Sequence, residues 1–150
     1  MPGSRSRWPA AWGQRTAVMG VINLTPDSFS DGGLCETPEE ALRQAGRQLA
    51  AGADVIDLGA QSTKPGAHEV GAEEELRRLL PALRAIRAAH PEAVISVDTF
   101  LASVAAAALE NGADWINDVS GGRRDGAMSV SYTHLRAPRD LSTSRMPSSA

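Results

Sequence analysis

A single cysteine, Cys35, excludes an intrachain disulfide and points to a reducing, cytoplasmic setting. No apolar run reaches the roughly 18 residues a membrane-spanning helix requires, because Asp, Asn or Gly interrupts each candidate. Positive charge is not in excess: 15 Lys+Arg stand against 18 Asp+Glu, a formal net charge of −3. No field therefore exists to hold nucleic acid or an anionic membrane. The histidines, His68, His90 and His134, show no metal-ligand spacing. Cys35 has no nearby histidine to activate it as a nucleophile. The first sixteen residues lack the apolar stretch of a secretory signal and read as a polar N-terminal extension, 1–16. What is present suits one globular domain: 150 residues, 42% of them hydrophobic.

Along the chain, short apolar runs alternate with helical patterns. Ala17 to Ile22 is apolar apart from Gly20 and reads as a buried strand. Asn23 to Glu36 is dense in Asn, Pro, Asp, Ser and Gly, a long loop by composition. Thr37-Pro38-Glu39-Glu40 combines an N-cap threonine, a proline at the first helical position and a glutamate three residues on, which predicts a capping box. The helix it opens has Ala41, Leu42, Ala45 and Leu49 on one face and closes at Gly52. Val55 to Leu58 predicts a second strand, and Gly59 to Gly71 a second long loop. Leu76, Leu79, Leu80, Leu83 and Ile86 mark a second helix in which Pro81 is expected to bend the axis. Val94 to Val97, Leu101 to Leu109 and Trp115-Ile116 complete the series. Gly52-Ala53-Asp54-Val55-Ile56-Asp57 recurs 60 residues on as Gly112-Ala113-Asp114-Trp115-Ile116-Asn117. Repeated βα units predict parallel strands, as in doubly wound sheets or the eight-stranded barrel, and the repeat favours the barrel.

Each predicted strand ends in a polar residue: Asn23, Asp57, Asp98 and Asn117. Taken singly, any of them could be a strand meeting solvent. Together, in a (β/α)8 barrel, they converge on the face where active sites form. Asp98 follows a Val-Ile-Ser-Val run, where a carboxylate is costly unless a donor meets it; the alternative is that Asp98 or Thr99 only caps the third helix. Asn117 offers both donor and acceptor, whereas strand alternation turns Asp118 away. Ser62-Thr63-Lys64-Pro65-Gly66 joins hydroxyls and a cation on a long loop. It suits an anionic group, or is an ordinary polar turn.

As strings, these segments resemble one family, the bacterial dihydropteroate synthases. Its first signature is similar to Met19-Gly20-Val21-Ile22-Asn23-Leu24-Thr25-Pro26-Asp27-Ser28-Phe29-Ser30-Asp31-Gly32-Gly33. The later signatures are similar to Asp57 to Gly66, Ser96 to Phe100 and Ile116 to Gly122, in the family's order. The resemblance implies a (β/α)8 TIM barrel, here its first four βα units over 17–128. It implies a transferase of folate biosynthesis that condenses (7,8-dihydropterin-6-yl)methyl diphosphate with 4-aminobenzoate and releases pyrophosphate. It also implies Mg2+, a cytoplasmic location and a homodimer. Asp98 and Asn117 would hold the pterin, with Asp57 supporting from the floor. Asn23 would meet the magnesium pyrophosphate. Asp31, Thr63 and Lys64 would be catalytic, and Phe29, Ser62, Thr63 and Pro65 would shape the aminobenzoate and pyrophosphate loops.

Ala60, Gln61 and Lys64 stand where the family usually has glycine, glutamate and arginine, and Lys64 trades a bidentate fork for a point charge. Residues 129–150 hold six serines and no amphipathic period, and are expected to be a tail foreign to the family. The reading is therefore the N-terminal half of a synthase. The alternatives are a truncated chain that keeps pterin binding without turnover, or a pterin-dependent methyltransferase barrel.

Overall fold

The computed structural model describes residues 7–25, 37–61, 70–121 and 123–128. Strands and helices alternate as β1 (Met19–Asn23), α1 (Pro38–Ala50), β2 (Val55–Gly59), α2 (Ala72–Ala89), β3 (Val94–Asp98), α3 (Ala102–Glu110) and β4 (Trp115–Asn117). The strands form one parallel sheet in the order β1-β2-β3-β4. Every helix is thus a crossover that returns the chain to start the next strand alongside the last.

Local chemistry explains the boundaries. The Thr37 hydroxyl accepts from the Glu40 amide at 3.2 Å and the Thr37 amide donates to the Glu40 carboxylate at 3.4 Å, so the expected capping box is formed. After α1 the chain turns through Gly52 at φ +106°, a left-handed conformation that side chains resist. Pro81 does not end α2, which continues to Ala89; the ring lies on the exposed side. The alanine-rich α3 has no capping side chain of its own. Its Ala102 amide donates instead to Asp125 at 2.7 Å, a cap supplied from beyond β4.

One face of the sheet packs on the helices. Ile22, Ile56, Leu58, Ile95 and Val97 meet Ala41, Ala45, Leu79, Leu83, Ile86, Val104 and Ala108 in a single buried cluster. β2 and most of β3 are buried, as central strands are, whereas the outer strand β1 leaves Met19 and Val21 exposed.

The internal sequence echo proves to be a pair of locks at the N-terminal end of the sheet. Asp54 accepts from the Val18 amide at 2.8 Å and from both terminal nitrogens of Arg15. Asp114 accepts from the Ile95 amide at 3.0 Å and from Arg87 at 2.6 Å. Each aspartate thus stitches its strand to the preceding one just below the ladder. The N-terminal residues join this end too. Trp8, Trp12 and Trp115 form an aromatic cluster with centroids 4.8 to 5.6 Å apart, and the Trp115 indole donates to the Arg7 carbonyl at 3.0 Å. Composition alone gave no sign of that docking.

Candidate functional site

The strand register assembles the site. Asn23 pairs with Gly59, Gly59 with Asp98 and Asp98 with Asn117, making one row across the C-terminal end of the sheet. Because side chains repeat with period two, the next layer down on the same face is Val21, Asp57, Ser96 and Trp115. Three of the four expected strand-end residues therefore share one row. The fourth is corrected: β2 ends in Gly59, and Asp57 lies one layer deeper. A methyl group at Gly59 would rest in ordinary contact with the Asp98 side chain, 3.6 Å from its Cβ.

At the centre of the second layer, Asp57 and Ser96 are buried and under-satisfied. Asp57 is 3% exposed, and its Oδ1 and the Ser96 hydroxyl have no hydrogen-bond partner among the described residues. Burial pushes the Asp57 carboxyl up, and nearby Ser96 and Asn117 oppose that shift by favouring the anion. Asp98 is pushed up to about 6, first by burial and then by the charges of Asp57, Glu75 and Asp118. A buried carboxylate oxygen without a partner, beside the half-buried Asp98 carboxyl, suits a ligand that brings N–H donors or develops positive charge.

Two acidic neighbours add to this picture. Asp118 does turn to its own loop, where it accepts from the Ser120 amide at 2.9 Å and hydroxyl at 2.6 Å, yet its charge still raises Asp98. Glu75, absent from that reading, is fully buried. A glutamate in a first helical turn reads as an ordinary partner of the helix dipole. The signal that could have found it is spacing: Glu75 stands four and eight residues ahead of Leu79 and Leu83, on the apolar stripe.

Asn23 is exposed at the end of β1, open to a ligand above the row. Among the described residues no group of three or more His, Cys, Asp or Glu could hold a metal ion. Phe29, Asp31, Ser62, Thr63, Lys64 and Pro65 lie outside the described residues, as does the tail 129–150. The Arg124 guanidinium lies 4.4 Å from the Phe100 ring centroid, joining the segment after β4 to the one after β3.

Comparison with known proteins agrees with this geometry. Residues 19–146 match the family model described as pterin binding enzyme, a match that runs past Met128 into the C-terminal segment. The chain is 47% identical over 112 residues to a dihydropteroate synthase of Streptococcus pyogenes, covering 75% of this chain and 42% of that one. It is 50% identical over 130 residues to a mitochondrial folate synthesis bifunctional protein of Pisum sativum, covering 85% of this chain and 25% of the relative. Among solved structures, a Xanthomonas albilineans dihydropteroate synthase with 4-aminobenzoic acid superposes with a TM-score of 0.72 at 44% identity, over 83% of this chain and 45% of that one. The chain thus spans less than half the length of these relatives, and its three βα units and fourth strand are of the barrel type they share.

Proposed function

The chain belongs to the pterin binding enzymes, and on that premise we propose that it carries the pterin half of a dihydropteroate synthase site. The reaction joins the aminobenzoate nitrogen to the pterin methylene carbon, breaks that carbon's bond to the pyrophosphate oxygen and releases the amine proton. The observation that carries the reading is the row Asn23, Gly59, Asp98 and Asn117 above the buried, partly unpartnered Asp57. Asp98 and Asp57 supply acceptors for ring N–H and amino donors, and Asn117 both accepts and donates. Their negative field stabilises the positive charge the pterin gains as the C–O bond breaks, a differential effect that lowers the barrier.

The donor chemistry at Asn23 fits Mg2+. The Asn23 amide oxygen, a hard donor at an open strand end, would supply one protein ligand to an ion held otherwise by water and substrate phosphates. When bound, the ion would draw off charge from the departing pyrophosphate. Asp31, Thr63 and Lys64 as catalytic groups, and Phe29, Ser62 and Pro65 around the aminobenzoate, belong to the same proposal through the matching signatures. So do the homodimer and the cytoplasmic setting. Synthases and folate-synthesis proteins among the named relatives favour this chemistry over methyl transfer.

Because the chain spans under half of its relatives, the test is binding. Titration of the 150-residue chain with a 6-hydroxymethyl pterin, read by pterin fluorescence, is expected to saturate. Asp98→Ala and Asn117→Ala should each weaken it at least about tenfold, the loss of one good polar contact. Absence of saturable binding by the unmutated chain would refute the reading.

A further inference from the structure

We propose that Glu75 is a positioning residue, the buried post through which the two ends of the β2–α2 connection are held against the end of β3. The carboxyl stands on the first turn of α2, fully buried. One oxygen accepts from the Gln61 amide nitrogen at 3.1 Å, while the other has no partner among the described residues. Burial pushes the Glu75 carboxyl up, and the hydroxyl of Thr99, the neighbour of Asp98 in sequence, opposes that shift together with Gln61.

Gln61 closes the arrangement. Its amide nitrogen also donates to the Val70 carbonyl at 2.7 Å, and its amide oxygen accepts from the Val70 amide at 3.1 Å. One side chain therefore binds both main-chain groups of the residue at the far end of the connection. Arg78, four residues after Glu74 and paired with it, adds a donor to the Ala60 carbonyl at 3.3 Å. The clamp needs a donor and an acceptor at once, which glutamine has and an ionised glutamate lacks. A glutamate at 61 would also face Glu75 as a like charge. The residue type at 61 and the burial of Glu75 thus belong to one device. It fixes where the connection leaves β2 and re-enters α2, relative to the Asp98 row.

The consequence for substrates rests on the pterin reading above; the test does not. Two ligand-free readouts on the full chain are used: hydrogen exchange at the Val70 amide, and the titration of the Asp98 carboxyl followed by carbon NMR. The charged groups facing Asp98 are Asp57 from β2, Glu75 from α2 and Asp118 after β4. Gln61→Leu is expected to speed Val70 exchange at least about tenfold, as loss of a hydrogen-bonded clamp does, with Ile56 and Val97 amides still protected. Glu75→Gln keeps the shape and the acceptor, so Val70 should stay protected while the Asp98 midpoint falls. Glu75→Leu removes the acceptor for Gln61 and should speed Val70 exchange as Gln61→Leu does; a residue that merely filled space would leave Val70 protected, which would overturn the proposal. Unchanged Val70 exchange in Gln61→Leu, or an unchanged Asp98 midpoint in Glu75→Gln, overturns the proposal. Because Glu75→Gln introduces no cavity, loss of fold in a harsher variant does not blunt the test. Pterin binding can fail while both changes occur, and the reverse, so the two readings are separable.

Discussion

Removing the Asp114 carboxylate tests whether the repeated Gly-Ala-Asp segments are structural locks of unequal depth. In Asp114→Ala the backbone pairing of residue 114 to the Ile95 carbonyl, at 2.8 Å, survives. What goes is the acceptor at 3.0 Å for the buried Ile95 amide and the 2.6 Å partner of Arg87. An orphaned buried amide costs about 1–3 kcal/mol. The Arg87 side chain is 20% exposed and keeps the carbonyls of Gly112, Ala93 and Pro91, so water and these acceptors soften the second loss. That loss is about 1 kcal/mol, and the total is about 2–4 kcal/mol. Asp114→Asn keeps an acceptor for Ile95 and should lose only about 1 kcal/mol. The matched change Asp54→Ala removes an aspartate whose arginine, Arg15, is 53% exposed, so it should cost clearly less than Asp114→Ala. Urea denaturation of the 150-residue chain, compared at constant slope, measures all three. Equal losses for Asp114→Ala and Asp54→Ala, or a loss under about 1 kcal/mol for the former, would refute the reasoning.

Asp98→Asn should stabilise the chain above pH 6. The folded state holds the Asp98 proton up to about 6 whereas an unfolded chain releases it near about 4, so wild-type stability contributed by this group falls as pH rises between those values. Denaturation midpoints at pH 4 and pH 7.5 should therefore diverge in favour of the variant at the higher pH, at the expense of pterin binding. Equal midpoints for variant and wild type at pH 7.5 would contradict the burial argument. Thr37→Ala removes the capping-box acceptor for Glu40 and should cost about 1 kcal/mol by the same assay, with no change in the Asp98 titration.

The layout of the fold was legible in the sequence because its signals are local. The Thr37 cap, the glycine turn at 52 and the four short apolar runs each depend on residues within a turn or two of each other. The row Asn23, Asp98 and Asn117 was legible for the same reason, since each closes a strand. What escaped depends on distance. Asp125 caps a helix that begins 23 residues earlier, and Trp8 meets a tryptophan more than a hundred residues on. Depth escaped as well: Asp57 reads as a strand end until the register shows Gly59 above it. Glu75 reads as a surface acid until the helix is seen to turn that face inward.

The tryptophan cluster has a spectroscopic consequence. The sequence holds three tryptophans, and all of them sit in this one cluster at the N-terminal end of the sheet, opposite the Asp98 row. Indoles 4.8 to 5.6 Å apart are in direct packing contact, so their near-ultraviolet dichroism responds to the integrity of the cluster. That optical signal reports whether residues 7–16 are docked on β4, and because Trp115 also lies one layer below Asn117, it extends to the floor of the candidate site.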